Sequence, residues 1–232
     1  VQKSLQEQQK VWELKSNLNM NIQEAIKKIK SEAKAKFTES IEVHINLVLD
    51  VKSQAIRTTI DLPHGTGKEL KIVVISNDYD KKLEKEFPTV KFGSEDMIKE
   101  ITSNKIKTSD FDLIISTLAT MPKLAVAARI LGPAGLMPNP KSGTVVDPAD
   151  LQQTISKFQK GKVEIRTQHD LPIIHANIGN ITFEDAQLVE NFNALFDAVK
   201  SNKPPKTKPE WIKSVFVSTT MGKGVKVDRP SA

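Results

Sequence analysis

Residues 62–76 read "LPHGTGKELKIVVIS", and the hydrophobic pattern changes in the middle of them. Before this stretch, "IEVHINLVLD" (41–50) puts Ile41, Val43, Ile45, Leu47 and Leu49 on one side of a strand. Strict alternation of that kind belongs to a sheet with one buried face. A second strand follows at "IRTTIDL" (56–62). Beyond Lys68 the apolar residues of "KIVVIS" run without a break, the pattern of a short strand buried on both faces. Between the two patterns lie Pro63, Gly65 and Gly67, breakers of the kind that mark a boundary.

Working outward from that boundary, strands and helices alternate. A charged helix is expected around "DKKLEKEF" (80–87), a strand at "TVKF" (89–92) and a helix at "SEDMIKEITSN" (94–104). A buried-type strand follows at "FDLIIST" (111–117), then a helix at "PKLAVAARIL" (122–131). "DPADLQQTISKFQ" (147–159) opens on Asp147 as an N-cap with Pro148 at the first helical position. Alternation at this spacing predicts a small parallel α/β domain. Toward the start, "NIQEAIKKIKSEAKAKF" (21–37) has Ile22, Ala25, Ile26, Ile29 and Ala33 at helical spacing. Residues 1–19, rich in Gln and Lys, read as a loosely held arm. Toward the end come strands "KVEIR" and "PIIHANIG", then a helix from residue 184 to 202 with Thr182 and Asp185 as its capping box. A proline-lysine loop at 203–209 leads to a last strand, "WIKSVFVSTT" (211–220).

Charge divides the chain in the same way. The total is 34 basic and 28 acidic residues in 232. Residues 1–68 carry 11 basic and 8 acidic side chains, residues 69–159 carry 12 of each, and residues 160–232 carry 11 and 8. The whole excess of +6 therefore sits in the flanks, which are the parts suited to a polyanion. Each flank is marginal as a domain by itself. The economical organisation is one discontinuous domain, 1–68 plus 160–232, with an α/β domain, 69–159, inserted in it.

Several functions lack their chemistry. With no cysteine, disulfides, zinc ribbons, iron–sulfur clusters and thiol catalysis are excluded. His44, His64, His169 and His175 have no metal-ligand spacing, and His44 and His175 read as ordinary solvent-side or turn-facing residues. "HGTGKE" fails as a Walker loop, because Leu62 stands at the first glycine position and Glu69 where Ser or Thr is required. No GxGxxG follows "KIVVIS", so no dinucleotide cofactor is expected, and no cofactor of any kind is assigned. No apolar run approaches the ~20 residues that span a bilayer. Starting on Val1, the chain reads as processed or trimmed.

Three stretches carry the functional signal. "ILGPAGLMPNPKSGTVV" (130–146) reads as a long, rigid, irregular loop with Leu136 and Met137 as an apolar anchor. Such a loop is either a structured connection or a partner surface, and a protein-binding scaffold using residues 132–140 is the rival functional reading. At "AKAKFTES" (33–40), Lys36, Phe37, Thr38 and Ser40 put basic and hydroxyl groups around one aromatic residue, as an RNA surface would. The alternative for Phe37 is a core staple. In "SVFVSTTMGKG" (214–224), Ser214, Ser218 and Thr220 share strand parity. Gly222 and Gly224 permit close backbone approach there, and Met221 adapts to an irregular groove. Arg166 and Lys223 would add phosphate contacts.

These motifs together resemble the ribosomal protein L-one family, the side-stalk protein of the large ribosomal subunit, in its bacterial and organellar branch. "ILGPAGLMPNPKSGTV", "LPHGTGK" and "SVFVSTTMGKGVKVD" carry the likeness in the right order, and it runs from about Ile22 to Asp228. The resemblance implies no catalysis and a two-domain fold. A split α+β sandwich made of both chain ends would bind the stalk region of large-subunit rRNA. A Rossmann-like three-layer α/β domain would be inserted through hinges near Gly65, Gly67 and Gly161. It implies Phe37, Thr220, Met221 and Gly222 on the RNA surface, with Ser214 at a strand position of that surface. It also implies movement with exit-site tRNA in the assembled ribosome, repression through the protein's own mRNA in bacterial members, and a monomer when free. The location would be the ribosome of a bacterial cytoplasm, mitochondrial matrix or plastid. Ala134 stands where the family's Gly-Pro-Arg-Gly loop has arginine, and the opening arm lacks that branch's dense Lys and Arg.

Overall fold

A computed structural model describes residues 20–50, 54–77, 82–103, 106, 108–168, 170–205, 207 and 210–228. The arm at 1–19, His169, and Lys206, Lys208 and Pro209 of the proline-lysine loop lie outside the described residues. The fold is mixed α/β and forms two compact units: Val1–Gly67 with Val163–Ala232, and Lys68–Lys162.

In the first unit, β1 (Ser40–Leu47), β8 (Ile173–Asn180), β9 (Ile212–Thr219) and β10 (Val225–Val227) form an antiparallel sheet in the order β10-β9-β1-β8. A two-stranded sheet joins β2 (Arg57–Asp61) to β7 (Lys162–Arg166). Along β1 the alternating residues do what their spacing predicts: Ile41, Val43, Ile45 and Leu47 are buried, while the residues between them are not. They meet Ala25, Ile26 and Ile29 of α1 (Ile22–Glu32) and Leu188, Phe192, Leu195 and Phe196 of α7 (Asp185–Ser201) in one core. The opposite face of the sheet carries Glu42, His44, Asn46, Ser214, His175 and Asn177.

The second unit is built around β3 (Ile72–Ile75), β4 (Lys91–Gly93), β5 (Leu113–Thr117) and β6 (Val145–Val146), parallel in the order β4-β3-β5-β6. Both of its faces are covered, which is why its strands read as unbroken apolar runs. Val73, Ile75 and Ile114 face α3 (Glu95–Thr102) and the helical stretch that follows β5, through Ile98, Ile101, Leu124 and Leu131. Ile72, Val74 and Ile115 face α6 (Leu151–Lys160) and α2 (Lys82–Glu86), through Leu151, Ile155, Phe158 and Leu83.

Four local expectations need correction. The 122–131 helix is divided into α4 (Met121–Leu124), a 3-10 turn (Ala125–Ala127) and α5 (Ala128–Ala134). The supposed irregular loop at 130–146 is thus helical as far as Ala134, with Pro133 inside the last turn and Gly135 as the left-handed cap. Leu136 and Met137 pack against the core, as an anchor should. Around α7 the capping box is Glu184 with Gln187, because the helix begins at Asp185 and the Thr182 hydroxyl is taken by Asn180. Asp147 does cap, but it opens a 3-10 turn (Pro148–Asp150) ahead of α6 and makes no side-chain cap bond. His44 and His175 do lie on the solvent side of the sheet, paired across β1 and β8 with their Nδ1 atoms 2.7 Å apart.

Candidate nucleic-acid interface

Two irregular segments meet where β1 begins and β9 ends. Residues 33–39 leave α1, whose Ala33 cap is already extended, and run into β1. Residues 220–224 turn the chain from β9 into β10. Register brings them together, because Ile41 pairs with Thr219. The Thr220 N–H then donates to the Ser40 carbonyl (3.1 Å), and the Ser40 N–H donates to Thr220 Oγ1 (3.0 Å). The same hydroxyl donates to the Ser40 carbonyl at 3.4 Å. A hydroxyl has one donor and two lone pairs, so Thr220 keeps one lone pair free to accept from a partner.

Glu39 lies beneath this junction and is the residue the sequence reading missed. It is 1% exposed. Its Oε2 accepts from the Met221 N–H (2.9 Å) and its Oε1 from the Ala35 N–H (3.2 Å). The Met221 N–H is the main reason its carboxyl is held below the ordinary value, against burial, which acts to raise it. The Thr219 hydroxyl and the Ala35 and Lys34 amides add to the lowering. That hydroxyl is buried without a hydrogen-bond partner, close enough to stabilise the charge but not bonded to it. The only sequence signal for Glu39 was an acidic residue that continues the inward parity of β1 one position before the strand begins, in a basic segment.

Above the carboxylate two large apolar side chains stand in solvent: Phe37 at 53% and Met221 at 75% exposure. A core-staple role for Phe37 does not fit that exposure. Lys36, Thr38, Thr220, Gly222 and Lys223 are exposed beside them, and Ser40 is half-buried. Gly222 is required for a reason internal to the turn, since a Cβ there would lie 2.3 Å from Thr219 Oγ1.

The remaining candidates lie elsewhere. Ser218 is buried, and its Oγ meets His44 Nε2 at 3.0 Å. Its parity with Thr220 does not make a shared face, because Thr220 has already left the strand. Ser214 lies toward the far end of β9, where its hydroxyl accepts from Asn46 Nδ2 (2.9 Å). Arg166 is exposed at the end of β7, beside the Thr167–Ile174 bridge. That bridge is at the Asn46–Ile173 end of the sheet, about 20 Å along β1 from Ser40 at ~3.3 Å per residue. The geometry therefore joins residues 36–40 to 220–223 and leaves Ser214 and Arg166 apart. Of the glycines expected at hinges, Gly65 and Gly67 are fixed to the first unit. Asn191 Nδ2 donates to the Gly65 carbonyl (2.9 Å). Gly67 has φ +68°, and a Cβ there would meet Asn180 and Phe183 at 2.7 Å. Gly161 caps α6 in the left-handed region, at φ 119°.

Among the described residues, no three His, Asp or Glu side chains are grouped to hold a metal ion, and no helix is long and apolar enough to cross a membrane. The model of the ribosomal protein L1p/L10e family matches residues 26–223. The chain belongs to that family. It is 42% identical over 216 residues to the large ribosomal subunit protein uL1c of Trieres chinensis, covering 92% of this chain and 91% of that one. It is 44% identical over 210 residues to uL1c of Phaeodactylum tricornutum (90% and 89% covered), and 42% over 207 residues to uL1 of Prochlorococcus marinus strain MIT 9312 (88% and 86%). Members of the family are structural ribosomal proteins, so the chain is not an enzyme. Its location is the ribosome, in a plastid or a bacterium.

Proposed function

We propose that this chain binds the side-stalk region of large-subunit rRNA through the surface formed by Lys36, Phe37, Thr38, Ser40, Thr220, Met221, Gly222 and Lys223. One observation carries the reading. An aromatic ring and a thioether, both more than half exposed, project from two segments of the first unit that hydrogen bonds lock together. The ring offers a stacking face and the thioether fits an irregular groove. Thr220 retains an acceptor for a ribose 2′-OH, and Lys36 and Lys223 supply phosphate contacts. Ser214 and Arg166 then form a second, outlying contact, and Ser218 acts from beneath the surface through His44.

The unit made of both chain ends is the rRNA-binding domain in this reading, and the Lys68–Lys162 unit is a Rossmann-like insertion hinged near Gly67 and Gly161. Through the stalk, the protein takes part in exit-site tRNA movement. The same surface would serve for recognition of its own mRNA. The test is a titration against a stalk rRNA fragment and a scrambled RNA at two salt concentrations. Selective binding that weakens with salt is expected. Equal, salt-labile binding to both RNAs would reduce the interaction to charge alone.

A further inference from the structure

We infer that Glu39 is the positioning residue of this RNA surface: without touching RNA, its carboxylate sets the spacing between Phe37 and Met221 and so sets affinity. The inference rests on the rRNA-binding reading above.

A buried carboxylate is costly unless its charge is met. Among the described residues no Lys or Arg forms an ion pair with Glu39. Main-chain N–H groups meet the charge instead, one to each oxygen, and charge-assisted bonds of that kind are the strong ones. The two donors come from segments 182 and 4 residues from Glu39 in sequence. One donor is the amide of Met221 itself, and the other lies two residues before Phe37. Neither segment belongs to a helix or a strand, so no regular ladder fixes these amides. Ser40 and Thr220 fix the strand ends, and the carboxylate fixes what projects beyond them. The turn itself is closed by the Gly222 N–H donating to the Thr219 carbonyl (3.1 Å), and a Cβ at Gly222 would meet Thr219 Oγ1 at 2.3 Å.

Charge and position predict opposite signs for Glu39→Gln. Removing a negative charge near a polyanion would by itself tighten binding. Turning one acceptor into an amide donor opposite a main-chain N–H breaks the tie, and the positioning role predicts that binding weakens about ten-fold. The slope of log affinity against log salt should stay unchanged, because no phosphate contact is lost. By NMR, the Met221 and Ala35 amides should exchange slowly in the wild-type protein and fast in E39Q. Unchanged or tighter RNA binding by a folded E39Q overturns the inference. So does fast exchange of the Met221 amide in the wild type, a measurement that needs no variant to fold. Failure of the wild type to select the stalk fragment would instead overturn the rRNA-binding reading, and the amide measurements would stand apart from it.

Discussion

The two units treat their sheets in opposite ways. In the second, both faces of a parallel sheet are packed: Val73 and Ile75 on one core, Ile72 and Val74 on the other. In the first, an antiparallel sheet packs one face on α1 and α7 and keeps polar groups on the other, and its irregular ends display Phe37 and Met221. A doubly covered sheet uses its residues on itself. A singly covered one leaves main chain and side chains to be organised for a partner, and here a buried carboxylate does the organising. The positive charge does not follow that division, because Lys68, Lys160 and Lys162 fall in the second unit and each unit carries a net +3.

The comparison breaks most directly if the packed unit governs RNA binding. Phe158→Ala removes a fully buried ring from the second unit and should cost about 3–5 kcal/mol. In urea unfolding the transition of that unit should move to lower denaturant, while rRNA affinity measured well below the transition stays the same. A parallel fall in affinity would end the division of roles.

Asn191→Leu probes the first unit. The buried amide donates to the Gly65 and Ile178 carbonyls and accepts from the His64 N–H. Losing all three bonds should cost about 3 kcal/mol. It should also free the 64–67 stretch, raising amide exchange at His64. Unaltered exchange there would mean that something else holds the stretch.

The smallest effect is one of pH. Burial, then the neighbouring His175, holds His44 below the usual histidine value, and Glu42 opposes them. A lowered histidine value favours the neutral form in the folded state. This contribution to stability is therefore present above the unfolded value of about 6.5 and is lost as pH falls through the folded one. Two Nδ1 atoms at 2.7 Å cannot both carry a proton. The urea midpoint of the first unit should fall between pH 7 and pH 5, and His44→Gln should flatten that fall. An equal fall in the variant would assign the effect to other groups.

The sequence made some of this legible for physical reasons. Period-2 alternation in β1 and unbroken runs in β3 and β5 reported how many faces each strand buries, so the strands and the change of pattern beyond Lys68 could be read. β10 was missed because three residues after a glycine turn are too short to carry a period. The helix break at Ala125–Ala127 was hidden by continuous apolar spacing. For the candidate surface, residue chemistry singled out Phe37 and Met221, but strand parity could not place Thr220 past the strand end or Ser218 under His44. The tie from Glu39 to Met221 and Ala35 was unreadable, because its donors are main-chain amides and every residue type but proline has one.

The central claim is that the Phe37–Met221 end of the first unit is the RNA surface, and Met221→Asp tests it most directly. The side chain is three-quarters exposed, so the fold should tolerate the change. In a filter-binding titration against the stalk rRNA fragment, affinity should drop at least about ten-fold with the melting temperature unchanged. Wild-type affinity in the folded variant would contradict the account and remove Met221 from the interface.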